Sequence, residues 1–191
     1  MIATLEQISL SEQTQNADRL ANATRPLIKL LRQLADVVGS LGDCQYTQKP
    51  VGVVESSIGG HVRHCLDHVR ALLLSVQTSR VNYDERRRGT PVEISRCCAI
   101  SEIDELIAEI LALPSNVIDR ALSMSILLCG DDQPVEVGTT FGRELAYTLT
   151  HTIHHNALVA TMVKTLGGWL PDRFGYAPST SRHLRQTTCA R

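Results

Sequence analysis

The sequence predicts an all-α protein: an antiparallel four-helix bundle with a small β-hairpin inserted between its third and fourth helices. Two observations predict this fold. Apolar residues recur at steps of three and four in four separate segments, which is the spacing that places them on one face of a helix. Between the third and fourth segments, apolar and polar residues alternate instead, as is typical of half-buried strands.

The first segment carries a long apolar stripe, which predicts a bundle helix: Leu20, Ala23, Leu27, Leu31, Leu34, Val38 and Leu41. Pro26 lies inside the stripe and predicts a kink or a break near the start of this helix, because proline cannot donate the helical hydrogen bond. Gly42 follows the stripe and predicts the end of the helix. Residues 1–16 are polar, and we interpret them as an N-terminal extension.

The second helix follows the N-cap candidates Ser56 and Ser57, and its stripe is Ile58, Val62, Cys65, Val69, Leu72 and Val76. The third begins near Ser101, ends before Pro114 and has the stripe Ile103, Ile107 and Ile110. The alternating stretches predict a hairpin within residues 121–138. The last helix runs from near Thr140 to Leu166, before two glycines. The bundle domain therefore covers residues 17–168, and residues 169–191 form a polar tail.

Composition and charge exclude several classes of protein. The net charge of −1 provides no basic surface for nucleic acid or an anionic membrane. No apolar stretch is long enough to predict a transmembrane helix, and the N-terminus does not resemble a signal peptide. The six cysteines form no C-x-x-C pair, so we expect reduced thiols and a cytoplasmic location.

Two clusters of histidine contain six of the seven histidines in the chain. His151 and His155, four residues apart, lie on one face of the last helix. The second helix carries His61, His64 and His68, each one residue before a member of the apolar stripe. They therefore form a line about 100° around the helix from the buried face. If the two helices are neighbours, a third imidazole from the second helix completes a metal site with open coordination positions.

A simpler interpretation is that these are hydrogen-bonded boundary residues without a ligand. We favour it for His183, which lies in the polar tail, and it stays open for His61, His68 and His154. Because adjacent helical residues diverge by about 100°, His154 and His155 do not aim at one point. Cys65 falls on the apolar stripe and is expected to be a small buried hydrophobic residue.

Two stretches together resemble the DinB/YfiT-like family: Ser57-Ile58-Gly59-Gly60-His61-Val62-Arg63-His64-Cys65-Leu66-Asp67-His68, and Thr148 to Ala157 with its His-x-x-x-His. The resemblance covers about residues 17–168. It implies a four-helix bundle with a three-histidine metal site, whose ligands here would be His64, His151 and His155, with His61 and His68 as alternatives to His64. The chain has Asn156-Ala157 where the family usually has Arg-Gly.

The resemblance also implies a function. Members include S-transferases and isomerases that use low-molecular-weight thiols, so we expect a metal-dependent enzyme containing Zn²⁺, Ni²⁺ or Fe²⁺. Its partners would be a small-molecule substrate such as a thiol and, in a homodimer, a second copy of the chain. The alternative is a non-catalytic metal- or small-molecule-binding bundle or a dimerising scaffold. Glu144, Tyr147 and Asp67 are the candidate bases near the metal.

Overall fold

A computed structural model describes residues 2–52, 54–85, 87–130 and 133–188. The helices within these ranges are α1 (Ile2–Ser40), α2 (Asp43–Thr47), α3 (Ile58–Thr78), α4 (Arg96–Leu111), α5 (Phe141–Thr165) and α6 (Pro178–Thr188). The strands are β1 (Arg80–Asn82), β2 (Ala121–Ile126) and β3 (Val135–Thr140). No helix in this described part is long and apolar enough to cross a membrane.

The predicted all-α antiparallel four-helix bundle is wrong, because the structure is α+β. The described residues form more than four helices and a mixed three-stranded sheet of order β1-β2-β3. The predicted hairpin is present as antiparallel β2 and β3. The prediction lacked β1, which pairs in parallel with β2 and places Val81 opposite Met124. Val81 is fully buried, so this short strand is anchored by its central side chain.

The chain divides into two compact units, and the first contains the sheet. It comprises Met1–Lys29, Asp67–Arg87 and Glu105–Leu149. Its buried apolar residues come from every helix segment and from β1 and β2: Leu27, Ile28, Val69, Leu72, Val81, Leu106, Ile110, Leu122, Phe141 and Leu145. Arg19 on α1 forms an ion pair with Asp119, which ties the helix to the segment before β2. The α1 helix continues through Pro26, so the predicted break does not occur.

The second unit comprises Leu30–Leu66, Arg88–Asp104 and Thr150–Arg191. Its buried apolar residues include Leu31, Leu34, Val38, Tyr46, Ile58, Val62, Ile103, Val159, Met162 and Phe174. The α2 helix lies between the first two predicted helices, where the sequence predicted no helix, and α6 lies in the predicted polar tail. Residues 189–191 of that tail lie outside the described residues, and the domain boundaries stay a prediction.

The first turn of α3 is held by close packing in the second unit. The Ser57 Oγ accepts a hydrogen bond from the Gly60 amide at 3.1 Å, as the N-cap prediction expects. Tyr46 is fully buried and donates its hydroxyl to the Val92 carbonyl at 2.7 Å. A Cβ atom at Gly59 would lie 2.1 Å from the Glu93 carbonyl oxygen and 2.9 Å from the Tyr46 ring. Only glycine therefore permits this approach.

We expect Gly59→Ala to lower the free energy of unfolding by about 2–3 kcal/mol, because the new methyl group collides with backbone that cannot move aside. Gly138→Ala is the matched control, since a Cβ atom there meets nothing within 4 Å. It should change stability by less than about 0.5 kcal/mol. Urea unfolding midpoints measure both effects. Equal midpoints for the two variants would contradict the close approach at Gly59.

Candidate metal centre

Histidines of α3 and α5 meet within the second unit. His61 and His64 follow the tightly packed first turn of α3, and both are partly exposed. On α5, His151 is partly exposed and His155 is buried, with 7% of its surface accessible. The ring centroids are 5.1 Å apart for His64 and His151, 4.7 Å for His64 and His155, and 4.4 Å for His151 and His155. The structure thus brings the three predicted ligands together.

Two ring nitrogens of the predicted ligands have the separation that a shared ion would impose. The Nε2 atoms of His64 and His151 are 3.3 Å apart, which is long for a hydrogen bond between nitrogens. Two imidazole nitrogens at ~2.1 Å from one ion, with bond angles of about 90–110°, lie roughly 3.0–3.4 Å apart. The donor atoms and their spacing therefore fit a divalent transition metal.

Three histidines lie close enough together to bind a metal ion. One ring nitrogen each of His64, His68 and His151 lies within 4.8 Å of the other two. This group shares His64 and His151 with the predicted ligand set and contains His68, the alternative from the next turn of α3. The ligand set His64, His151 and His155 therefore stays a prediction.

His61 approaches His155 on the other side of the cluster. Their Nδ1 atoms are 3.2 Å apart, and their rings are tilted by 37° at 5.4 Å. The Nε2 atom of His61 is buried and has no hydrogen-bond partner in the described part of the chain. Both side-chain polar atoms of Asn156, the fully buried residue after His155, have none either. Buried polar groups of this kind are normally satisfied by water, an ion or a ligand.

Burial lowers the pKa of two rings in the cluster, His155 and His61. Desolvation, followed by the neighbouring His151, His64, His61 and His154, lowers the pKa of His155 from its ordinary 6.5 to about 2. Desolvation also lowers the pKa of His61. Metal binding needs the neutral ring, because a protonated nitrogen has no lone pair to donate. The environment therefore prepares these rings as ligands.

His154 and His183 do not share this environment. Both residues are exposed, although the rings of His154 and His155 are 5.2 Å apart. Cys65, one residue after His64, is 1% exposed and donates its thiol to the Thr152 hydroxyl at 3.6 Å. Burial raises the pKa of the Cys65 thiol to about 11. Cys65 is thus a packed thiol between two helices, as its place on the apolar stripe predicts.

The candidate base Glu144 belongs to a hydrogen-bond network in the first unit. Its side chain is fully buried and accepts hydrogen bonds from Thr139 at 2.7 Å and from the Tyr83 hydroxyl at 3.0 Å. The Tyr83 oxygen also lies 3.3 Å from the Thr148 hydroxyl. Burial raises the pKa of Tyr83, so its phenol stays protonated. Glu144 therefore holds Tyr83 in place.

The phenol ring of Tyr83 stacks on His68, with centroids 4.8 Å apart and planes 8° from parallel. Tyr147, another candidate base, contacts both rings, and the Arg143 guanidinium lies 5.6 Å above it. Burial raises the pKa of Tyr147, which opposes a role as a base at neutral pH. Sequence reasoning missed Tyr83 because it follows β1, outside any periodic segment.

No protein family model matches this chain. Among curated proteins, the chain is similar to FK506-binding protein 5 of Rhizopus delemar, with 34% identity over 107 residues. These residues are 56% of this chain and 28% of that protein. The chain thus spans less than a third of the length of that relative.

The low pKa of His155 predicts that the metal-free protein is less stable in acid. The unfolded chain binds a proton at this residue near pH 6.5, whereas the folded chain does so only near pH 2. The contribution of His155 to the free energy of unfolding is therefore fully present above about pH 6.5 and is lost as the pH falls below that value. One such group lowers the free energy of unfolding by about 2 kcal/mol between pH 7 and pH 5. Urea unfolding of chelator-treated protein at several pH values measures this slope.

His155→Gln should flatten this slope, because glutamine does not titrate. His183→Gln is the matched control, since it removes an exposed histidine from α6 and should leave the slope unchanged. If the His155 variant had the same pH dependence as the wild type, His155 would bind its proton equally in the folded and the unfolded chain, which would contradict the low pKa.

Proposed function

We propose that this chain binds a divalent transition metal, Zn²⁺, Ni²⁺ or Fe²⁺, between the imidazoles of α3 and α5. The observation that carries the proposal is the 3.3 Å separation of the His64 and His151 Nε2 atoms, from neighbouring helices. His155 is the proposed third ligand, because its buried ring lies within 4.7 Å of both other rings. His68 is the alternative third ligand.

The proposed centre suits a catalytic ion better than a purely structural one. Three protein ligands leave at least one coordination position for water or substrate, whereas structural zinc sites usually have four. Imidazoles carry no negative charge, so the ion keeps its full charge and attracts an anionic group. When bound, the ion would supply Lewis acidity and lower the pKa of a coordinated thiol or water. Within the chain, the buried Cys65–Thr152 contact spaces α3 and α5 beside the ligands.

We propose a thiol-dependent reaction as the chemistry of this centre, supported by the family resemblance of the two histidine motifs. The alternative is a metal-binding protein without catalytic activity. The FK506 binding named in the fungal relative is not carried over, because the match covers 28% of that protein. Cys65 is not proposed as a nucleophile, because burial holds its thiol protonated.

Metal retention tests the ligand set. We expect elemental analysis of purified wild-type protein to find about one equivalent of Zn²⁺, Ni²⁺ or Fe²⁺. His64→Ala and His151→Ala should each lower the affinity of the protein for the metal by at least roughly 100-fold, because each removes a ligand. His183→Ala should retain metal as the wild type does. Comparing His155→Ala with His68→Ala identifies the third ligand. Full retention in both the His64 and His151 variants would refute the centre.

Thiol binding tests the proposed chemistry separately. Titration of the Co²⁺-loaded protein with 2-mercaptoethanol should produce a sulfur-to-cobalt absorption band, because an open position on the ion admits a thiolate. A panel of low-molecular-weight thiols and electrophiles, with His155→Ala as the control, then tests turnover. Metal retention with neither the band nor turnover would favour the non-catalytic alternative.

A further inference from the structure

A cavity of about 490 Å³ lies in the first unit, between one face of α3 and the chain around β1. Its wall on α3 comes from residues spaced by three and four, among them Arg70, Ala71 and Leu74, which share one helix face. Its other wall includes Arg80 and Asn82, two residues apart on β1 and therefore on one face of the strand. Secondary structure thus builds both walls, and the volume suits a small molecule.

Arginines outnumber carboxylates among the residues that line the cavity. Arg70, Arg80 and Arg87 contribute three guanidinium groups, against the carboxylates of Asp67 and Glu85. Arg80 forms an ion pair with Glu136 on β3, and the Ser123 hydroxyl also donates to that carboxylate. The Arg80 group is therefore paired with a carboxylate, and both Arg80 and Arg87 are exposed. Guanidinium groups bind carboxylate and phosphate through paired hydrogen bonds.

The same cavity offers an apolar surface. Leu74 lines it with 54% of its surface exposed, unlike its neighbours Leu72 and Leu73 on the same helix, which are buried. Ala71, one turn earlier, lines the cavity beside it. A large aliphatic side chain exposed in a concave site gains free energy when a ligand covers it.

We propose that this cavity binds a small organic anion, with its carboxylate or phosphate group held by the guanidinium groups of Arg70 and Arg87. A short aliphatic part of the ligand rests on Leu74 and Ala71. Arg80 is paired with Glu136 and forms part of the cavity wall. The proposal uses no residue of the histidine cluster on α5 and does not depend on a bound metal.

Calorimetric titration of the full-length protein, stripped of metal on a chelating resin, tests this site. Hexanoate and hexyl phosphate are the anionic probes, which separate a carboxylate from a phosphate ligand. Three controls separate the two parts of the probe. Hexanol and hexylammonium have the hexyl group without the negative charge, and inorganic phosphate has the negative charge without the hexyl group. We expect one or both anionic probes to bind at least tenfold more tightly than all three controls.

Substitutions then locate the binding. Arg70→Gln and Arg87→Gln should each weaken binding of the preferred probe by roughly tenfold, because each removes a charge-assisted hydrogen bond. Leu74→Ser should weaken it by a smaller factor. Arg25→Gln, an exposed arginine on α1 outside the cavity, is the matched control and should bind as the wild type does.

Because Arg87 is exposed, the Arg87→Gln variant should fold even if Arg70→Gln does not. Circular dichroism checks that each variant is folded. Equal binding of hexanoate, hexyl phosphate and hexanol would overturn the proposal. So would wild-type affinity in both the Arg87 and Leu74 variants, or no binding of either anionic probe. If the histidine cluster proved not to retain metal, the expected binding of the anionic probes would be the same. The proposal for this cavity and the proposal for the metal centre are therefore tested independently.

Discussion

The second unit depends on how closely α3 and α5 approach at their histidines. Compact side chains allow this approach, because the Cys65 thiol of α3 meets the Thr152 hydroxyl of α5. Before the histidines, Gly59 admits the Glu93 carbonyl against the first turn of α3 and holds the start of that helix. The approach places the His155 imidazole in a desolvated space, where charging the ring is costly, so its pKa is low. An ion bound to these rings would offset part of the cost of burying their nitrogens.

Much of the helical core could be predicted from the sequence, because burial on one helix face leaves a periodic record. Every member of the first predicted stripe except Ala23 is buried, and so is every member of the second except Val76. The convergence of His64 with His151 and His155 followed from the same periodicity, once their two helices were taken as neighbours. The spacing of residues along one helix determines which helix face they share. The choice of the third ligand depends instead on distances between helices, which the sequence does not record.

The features that sequence analysis missed have weak local signals. The β1 strand has three residues and pairs in parallel with β2, which lies beyond α4 in the chain, so no adjacent hairpin turn indicates it. That omission made an α+β protein look all-α. Tyr83 was missed for the same reason, because its place beside His68 and Glu144 follows from where β1 ends. The sequence did not predict the full burial of Glu144, since two of its hydrogen-bond donors, Tyr83 and Thr139, come from outside its own helix.

The sheet also shows how an open edge is kept from unwanted association. In the described part of the chain, β3 pairs only with β2, and its other edge presents free backbone groups beside the exposed Val135 and Val137. Such an edge is a template for a strand from another molecule. Glu136 lies between the two valines, and its carboxylate is tied across the sheet to Arg80 and Ser123. A charged residue on an edge strand makes that edge a poorer template for pairing, and Glu136 places such a charge at the centre of β3.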